Sequence, residues 1–222
     1  MNVVAEQETL RILRDRRASI ARYGDGELEI MIGGGIRFQE ADPALARRLR
    51  EILCAGTPQF LIGIPNFAAL QIKRSAKQAS WQRYQRLFSH LVSRGAEYYS
   101  AFISRPSGVT GLESMEYYQL FATLWEGRDV VLVHNSPEVA GHTLFQNAKR
   151  VRHMSCPPNH AFRTYPDLFD RASAMIDSDD VIFLIAAGPT AGVLAWDLAQ
   201  RGVQALDIGH LTNTYDDFLT RL

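Results

Sequence analysis

The chain predicts an α/β fold, a three-layer sandwich around a mainly parallel sheet, and three observations carry that prediction. Short apolar runs alternate with amphipathic stretches along nearly the whole length, the pattern of strands returned by helical crossovers. The run Val181-Ile182-Phe183-Leu184-Ile185-Ala186 is apolar at every position, as in a strand covered on both faces. No internal repeat and no linker composition divides the 222 residues, so residues 1–222 are expected to form a single domain with a substantial core.

Taken in order, residues 5–17 place Leu10, Ile12 and Leu13 among many charges, which predicts an amphipathic first helix ending before a short strand at Ala18-Ser19-Ile20-Ala21. The polar hexapeptide Arg22 to Glu27 follows, then the apolar positions Leu28, Ile30, Met31 and Ile32, and Gly33-Gly34-Gly35 breaks what precedes it. Asp42-Pro43 reads as an N-cap with proline at the first helical position, and Leu45, Leu49, Ile52 and Leu53 supply the stripe. Phe60-Leu61-Ile62-Gly63-Ile64 is a strand closed by Pro65-Asn66. Trp81, Tyr84, Leu87, Phe88 and Leu91 recur at helical spacing within a helix over Ser80–Arg94.

A strand over Tyr98–Ser104 stops at Arg105-Pro106-Ser107-Gly108, and Ser114 to Trp125 predicts a helix. Asp129 to Val133 is a buried strand, His134 to His142 a loop, and Val151 to Met154 a further short strand before Cys156-Pro157-Pro158-Asn159. Pro166 to Ile176 is helical, and after the Val181 strand a helix runs from Pro189-Thr190 to Gly202. Gln204 to Ile208 is the last strand, with Gly209-His210 opening a short tail.

Composition limits the partners. With 46% hydrophobic and 22% charged residues the chain is an ordinary globular one. Lys+Arg 24 balance Asp+Glu 24, which argues against bulk attraction to nucleic acid or an anionic membrane, so any anion must be held locally. Cys54 and Cys156 form no CxxC pair and suggest neither a disulfide framework nor a zinc knuckle. No signal-peptide core and no membrane-length apolar run occurs, so the expected location is cytoplasmic.

In a parallel sheet, ligands bind where loops leave the carboxyl ends of the strands, and five such loops carry polar residues: Arg22 to Glu27, Arg105 to Gly108, His134 to Glu138, Gly188 to Thr190 and Asp207 to His210. Asp25 and Glu27, spaced i and i+2 and flanked by Gly24 and Gly26, can converge on a divalent cation if the backbone turns there, and Arg22 adds a cation suited to phosphate. The ordinary alternative is a surface Asp-Gly turn. Glu29 occupies the third position of G-x-G-x-x-G, and no G-K-[ST] occurs, so neither a dinucleotide fingerprint nor a Walker loop is present. Gly188-Pro189-Thr190 ends a strand and opens a helix, leaving backbone N–H groups and a hydroxyl for an anion, although a plain strand-to-helix connection has the same sequence. His210 could reach a metal or phosphate or simply fill a turn, and Arg105 could bind phosphate or sugar or lie solvated. Asn159 and His160, before Phe162 and Tyr165, could border a base ring, with core packing the alternative for the two aromatics. His134, His142 and His153 lack the spacing of a zinc motif.

Ser19 to Glu27, Leu144-Phe145-Gln146-Asn147-Ala148-Lys149, Pro158 to Phe162, Ala187-Gly188-Pro189-Thr190 and Ala205 to His210 together resemble, in order over nearly the whole chain, the GT-D fold glycosyltransferases, formerly a domain of unknown function. The resemblance implies a Rossmann-like fold, a nucleotide-sugar donor such as UDP-glucose, a glycan or glycoconjugate acceptor, and Mn²⁺ or Mg²⁺ held through a DxE motif, here Asp25 and Glu27. Either carboxylate could instead serve as general base. Donor contacts are expected from Arg22, Tyr23, Gly24, Gly26 and Arg105, and from Asn159, Gly188, Pro189, Thr190 and His210. Two rival readings stay open. A Rossmann-type methyltransferase would bring Gly24-Asp25-Gly26 to S-adenosylmethionine with no metal, and a non-catalytic nucleotide- or sugar-binding module fits a 134–142 loop without arginine or lysine.

Overall fold

The computed structural model describes residues 2–66, 77–92, 96–106 and 113–222, with the backbone alone at 77–81. Strands β1 (Val3–Val4), β2 (Ser19–Arg22), β3 (Phe60–Ile64), β4 (Tyr98–Ser100), β5 (Asp129–His134), β6 (Arg150–Ser155), β7 (Val181–Ile185) and β8 (Gln204–Asp207) form one sheet. Their order is β1-β4-β3-β2-β8-β7-β5-β6, and every ladder between them is parallel. The helices are α1 (Glu6–Arg16), α2 (Asp25–Met31), α3 (Pro43–Leu53), α4 (Lys77–Leu91), α5 (Met115–Ala122), α6 (Tyr165–Ser173), α7 (Thr190–Ala199) and α8 (Leu211–Leu219).

Alternation along each strand builds two cores. Val181, Phe183 and Ile185 of β7 join Val131 and Val133 of β5 and Ile62 and Ile64 of β3 on the face covered by α2, α3, α4, α6 and α7. Ile182 and Leu184, with Val130, Leu132 and Leu61, face the other way onto α1, α5 and α8. A strand with a core on each side has no polar face, which is why β7 reads as unbroken apolar sequence. The helix α3 starts where its sequence says it should: Asp42 accepts hydrogen bonds from the Ala44 and Leu45 N–H groups, and Pro43 fills a position needing no donor.

Several boundaries differ from the sequence reading, three of them in ways that shape the fold. The strand expected over Tyr98–Ser104 ends at Ser100, because the Ser100 hydroxyl accepts the Phe102 N–H and turns the chain. The expected tail is the helix α8, whose Leu211 and Phe218 are buried in the second core although Thr, Asn and Asp fill the positions between them. The 134–142 loop contains a 3₁₀ turn, Pro137–Gly141. The end of the helix expected to reach Arg94, and Ser107-Gly108 of the loop after Arg105, lie outside the described residues. No helix among the described residues is long and apolar enough to cross a membrane.

Candidate active site

The chain leaves β5 outward to the edge strand β6, and leaves β7 in the opposite direction to β8. Connections that diverge in this way open a crevice at the carboxyl ends of the two strands. A cleft of about 770 Å³ lies there, lined by His134 at the end of β5 and Ser136 beyond it, Ala187 and Gly188 after β7, and Gly209 and His210 after β8. Its remaining walls come from Asn159 and His160, from Thr212 and Asp216 of α8, and from Arg37, Phe38 and Gln39.

The acidic pair stands at the start of α2 and is not part of the cleft lining, but Asp25 lies within electrostatic reach of His210 on the cleft wall. Gly24 is the N-cap residue and Glu27 the third helical residue, whose Oε2 accepts the Gly24 N–H at 2.7 Å. Asp25 is exposed, and its Oδ1 accepts the Gly26 N–H at 3.2 Å. Both carboxylates therefore occupy the positive end of the helix dipole. Burial, and then the negative charge of Asp207, push the Glu27 carboxyl up to about 7, against the pull of nearby backbone N–H groups and Arg22.

Arg22 ties β2 to β8 and to the turn after β4. Its Nε and Nη2 donate to the backbone oxygen and Oδ1 of Asp207 at 2.7 and 2.8 Å, while Nη1 donates to the Ala101 oxygen and the Ser104 hydroxyl at 3.1 and 2.7 Å. The guanidinium lies so close beneath Gly209 that a Cβ there would sit 2.1 Å from Nη2. His210 follows on the cleft wall. Burial, then the charges of Arg105 and Arg22, hold its pKa below the usual histidine value, with Asp207 and Asp25 opposing. Those influences place Arg22, Asp25, Arg105, Asp207 and His210 within one electrostatic neighbourhood.

Of the residues expected to meet a donor, Asn159, Gly188 and His210 line the cleft, and Arg22, Gly24, Gly26 and Arg105 do not. Three others are buried. Tyr23 is fully buried, with its hydroxyl donating to the Leu49 oxygen at 2.7 Å, and Thr190 is fully buried with no hydrogen-bond partner for its hydroxyl among the described residues. Pro189 is also buried, close to Gly26. Arg22 spends four N–H groups on protein oxygens, which leaves one of the five a guanidinium carries.

The sequence reading missed the segment 36–40. Ile36 and Gln39 pair through both backbone hydrogen bonds, and the Phe38 ring lies over Gly188, where a Cβ would stand 2.8 Å from it. Gly188 has φ +56°, so both its backbone and its surroundings require glycine. The far side of the hairpin is fixed by His160, whose N–H donates to the Phe38 oxygen at 2.8 Å and whose Nδ1 accepts the Glu40 N–H at 3.0 Å. Arg163 pairs with Glu40 through Nε and Nη2. An Ile-Arg-Phe-Gln turn after three glycines was the available signal, but it reads first as the end of a helix.

No group of three or more histidine, cysteine or acidic side chains that could hold a metal occurs among the described residues. The donor set at the start of α2 still suits a hard cation whose coordination is completed by substrate phosphate and water, the usual manner of Mg²⁺ binding through one or two carboxylates. Asp25 offers the exposed carboxylate for this, whereas Glu27 Oε2 is taken up by the Gly24 N–H.

Residues 20–222 match the family model "Glycosyltransferase GT-D fold". A probable glycosyl transferase Gly of Streptococcus gordonii is 32% identical over 98% of this chain, and glycosyltransferase GlyD of Streptococcus pneumoniae is 27% identical over 94%. The chain spans 33% and 26% of the lengths of those two relatives. Among solved structures, one described as a new glycosyltransferase (DUF1792) from Streptococcus sanguinis superposes with a TM-score of 0.87 at 28% identity, covering 99% of this chain and 86% of that one. A selenomethionine-substituted domain of unknown function 1792 gives the same score and identity over 100% of this chain and 82% of that one. Parallel sheet, switch-point cleft and acidic helix start thus occur in a chain that belongs to the GT-D fold glycosyltransferase family.

Proposed function

We propose that this chain transfers a hexose from a nucleoside diphosphate sugar, UDP-glucose or a close relative, to a glycan or glycoconjugate acceptor, with Mn²⁺ or Mg²⁺ held at Asp25. The observation that carries the reading is the acidic start of α2, whose Asp25 lies within electrostatic reach of His210 on the wall of a cleft at the carboxyl edge of the sheet. When bound, the cation neutralises the diphosphate charge that grows as the anomeric bond breaks. His210 and Gly188 border the donor, and Asn159 lies on the wall available to its base or ribose. Glu27, whose carboxyl is raised to about 7 by burial and Asp207, is the neighbouring carboxylate left to act as base for the acceptor hydroxyl. Arg22 holds Asp207 and keeps the β2 and β8 loops in register around the site.

The test is UDP release from UDP-sugars with Mn²⁺. Asp25→Asn and Glu27→Gln should each lower turnover by roughly a hundredfold or more, within the range general acid–base catalysis contributes. Asp25→Asn should also weaken Mn²⁺ binding, while Glu27→Gln leaves it nearly intact; equal loss of metal in both variants makes Glu27 a second ligand. Undiminished turnover in both variants, or in excess chelator, ends the proposal.

A further inference from the structure

Beside the metal ion, the diphosphate of the donor leaves oxygens for a positive side chain, and Arg22 is largely committed to Asp207, Ala101 and Ser104. Among the described residues lining the cleft, Arg37 alone is an arginine or lysine. It is exposed, and none of the ion pairs or side-chain hydrogen bonds among the described residues involves it. Its backbone is nevertheless fixed: the Ile36 and Gln39 pairing closes the turn beneath it, Phe38 rests on Gly188, and His160 and Arg163 hold the following residues. An unengaged guanidinium on an anchored turn can meet an anion without reorganising the protein around it, and its planar fork suits two phosphate oxygens at once.

We infer that Arg37, carried on the 36–40 hairpin, is the residue that grips the diphosphate of the donor. The inference rests on the nucleoside diphosphate sugar reading, but it assigns the cation to a segment that does not belong to the acidic helix start. The hairpin follows Gly33, at φ +88°, and Gly34-Gly35 directly, so the chain can turn back from α2 and bring Arg37 to the cleft wall that His134 and His210 also line.

Calorimetric titration of UDP, inorganic pyrophosphate and uridine into the wild-type chain, Arg37→Met and Arg37→Lys, all with Mn²⁺ present, tests it. Arg37→Met should bind UDP and pyrophosphate at least about tenfold more weakly while uridine binding is unchanged, and Arg37→Lys should fall between, since it keeps the charge and loses the fork. Because Arg37 is exposed and unpaired among the described residues, the unfolding midpoint should not move. Binding of UDP and pyrophosphate by Arg37→Met within twofold of wild type overturns the assignment, as does an equal loss of uridine. A wild type that binds pyrophosphate through Arg37 but not UDP removes the nucleotide from the donor reading and leaves the assignment standing. Binding of neither overturns both.

Discussion

Glu27 closes the first turn of α2 by accepting the Gly24 N–H, yet its carboxyl is raised from 4.5 to about 7 by burial and by Asp207. Because the folded state holds this proton more tightly than the unfolded chain, the group adds stability below about pH 4.5, and that contribution is lost as pH rises through about 7. Glutamine keeps an oxygen for the Gly24 N–H and never ionises. Glu27→Gln should therefore match wild type in urea unfolding at pH 4.5 and exceed it at pH 8 by on the order of 2 kcal/mol in the absence of divalent cation. A stability difference that does not change between these pH values would show that the carboxyl ionises without strain. Arg22 and Asp207 sit beneath the same site with side chains 13% and 5% exposed. At that burial the partners depend on each other, so this arginine is better understood as scaffold than as ligand.

At the scale of elements, the hairpin 36–40 and the strand-to-helix turn at Gly188 form one unit, joined where the Phe38 ring covers the glycine. Gly188→Ala would place a methyl 2.8 Å from that ring at a φ of +56°, so either the backbone or the hairpin must shift. The expected outcome is a loss of stability on the order of 1–2 kcal/mol for the left-handed position, together with weaker UDP binding as the turn moves. Unchanged UDP affinity in a destabilised protein would separate the hairpin from the donor site. These elements also show what the sequence could reveal. The Asp42-Pro43 start of α3 and the strands β3, β5 and β7 were legible because capping and two-sided burial leave local marks. Asp25 and Glu27 were legible as an acidic pair beside glycine, but not as helix-start residues, since Asp-Gly is equally a turn. Arg37 and the inward face of α8 were not legible, because both depend on segments far along the chain: His160 and Arg163 for the hairpin, and the core under α5 for Leu211 and Phe218.

On the scale of the whole molecule, the cleft is assembled from both ends of the sequence. Arg37 and Phe38 come from the segment after α2, whereas His134 ends β5, and Gly188 and His210 follow β7 and β8. The two portions meet where β2 pairs with β8 and where Arg22 pairs with Asp207. A ligand that touches both portions binds only when they are joined, so its binding energy appears as resistance to global unfolding. At a hundred times its Kd a ligand adds about 2.7 kcal/mol, which for a chain of 222 residues corresponds to a rise in Tm of roughly 5–10 °C. UDP with Mn²⁺ should produce such a shift in the wild type and a much smaller one in Asp25→Asn, while S-adenosylmethionine should produce none. Stabilisation by S-adenosylmethionine alone would move the chemistry from glycosyl to methyl transfer. A UDP shift equally large in chelator would leave the nucleotide in the cleft and take the cation out of it.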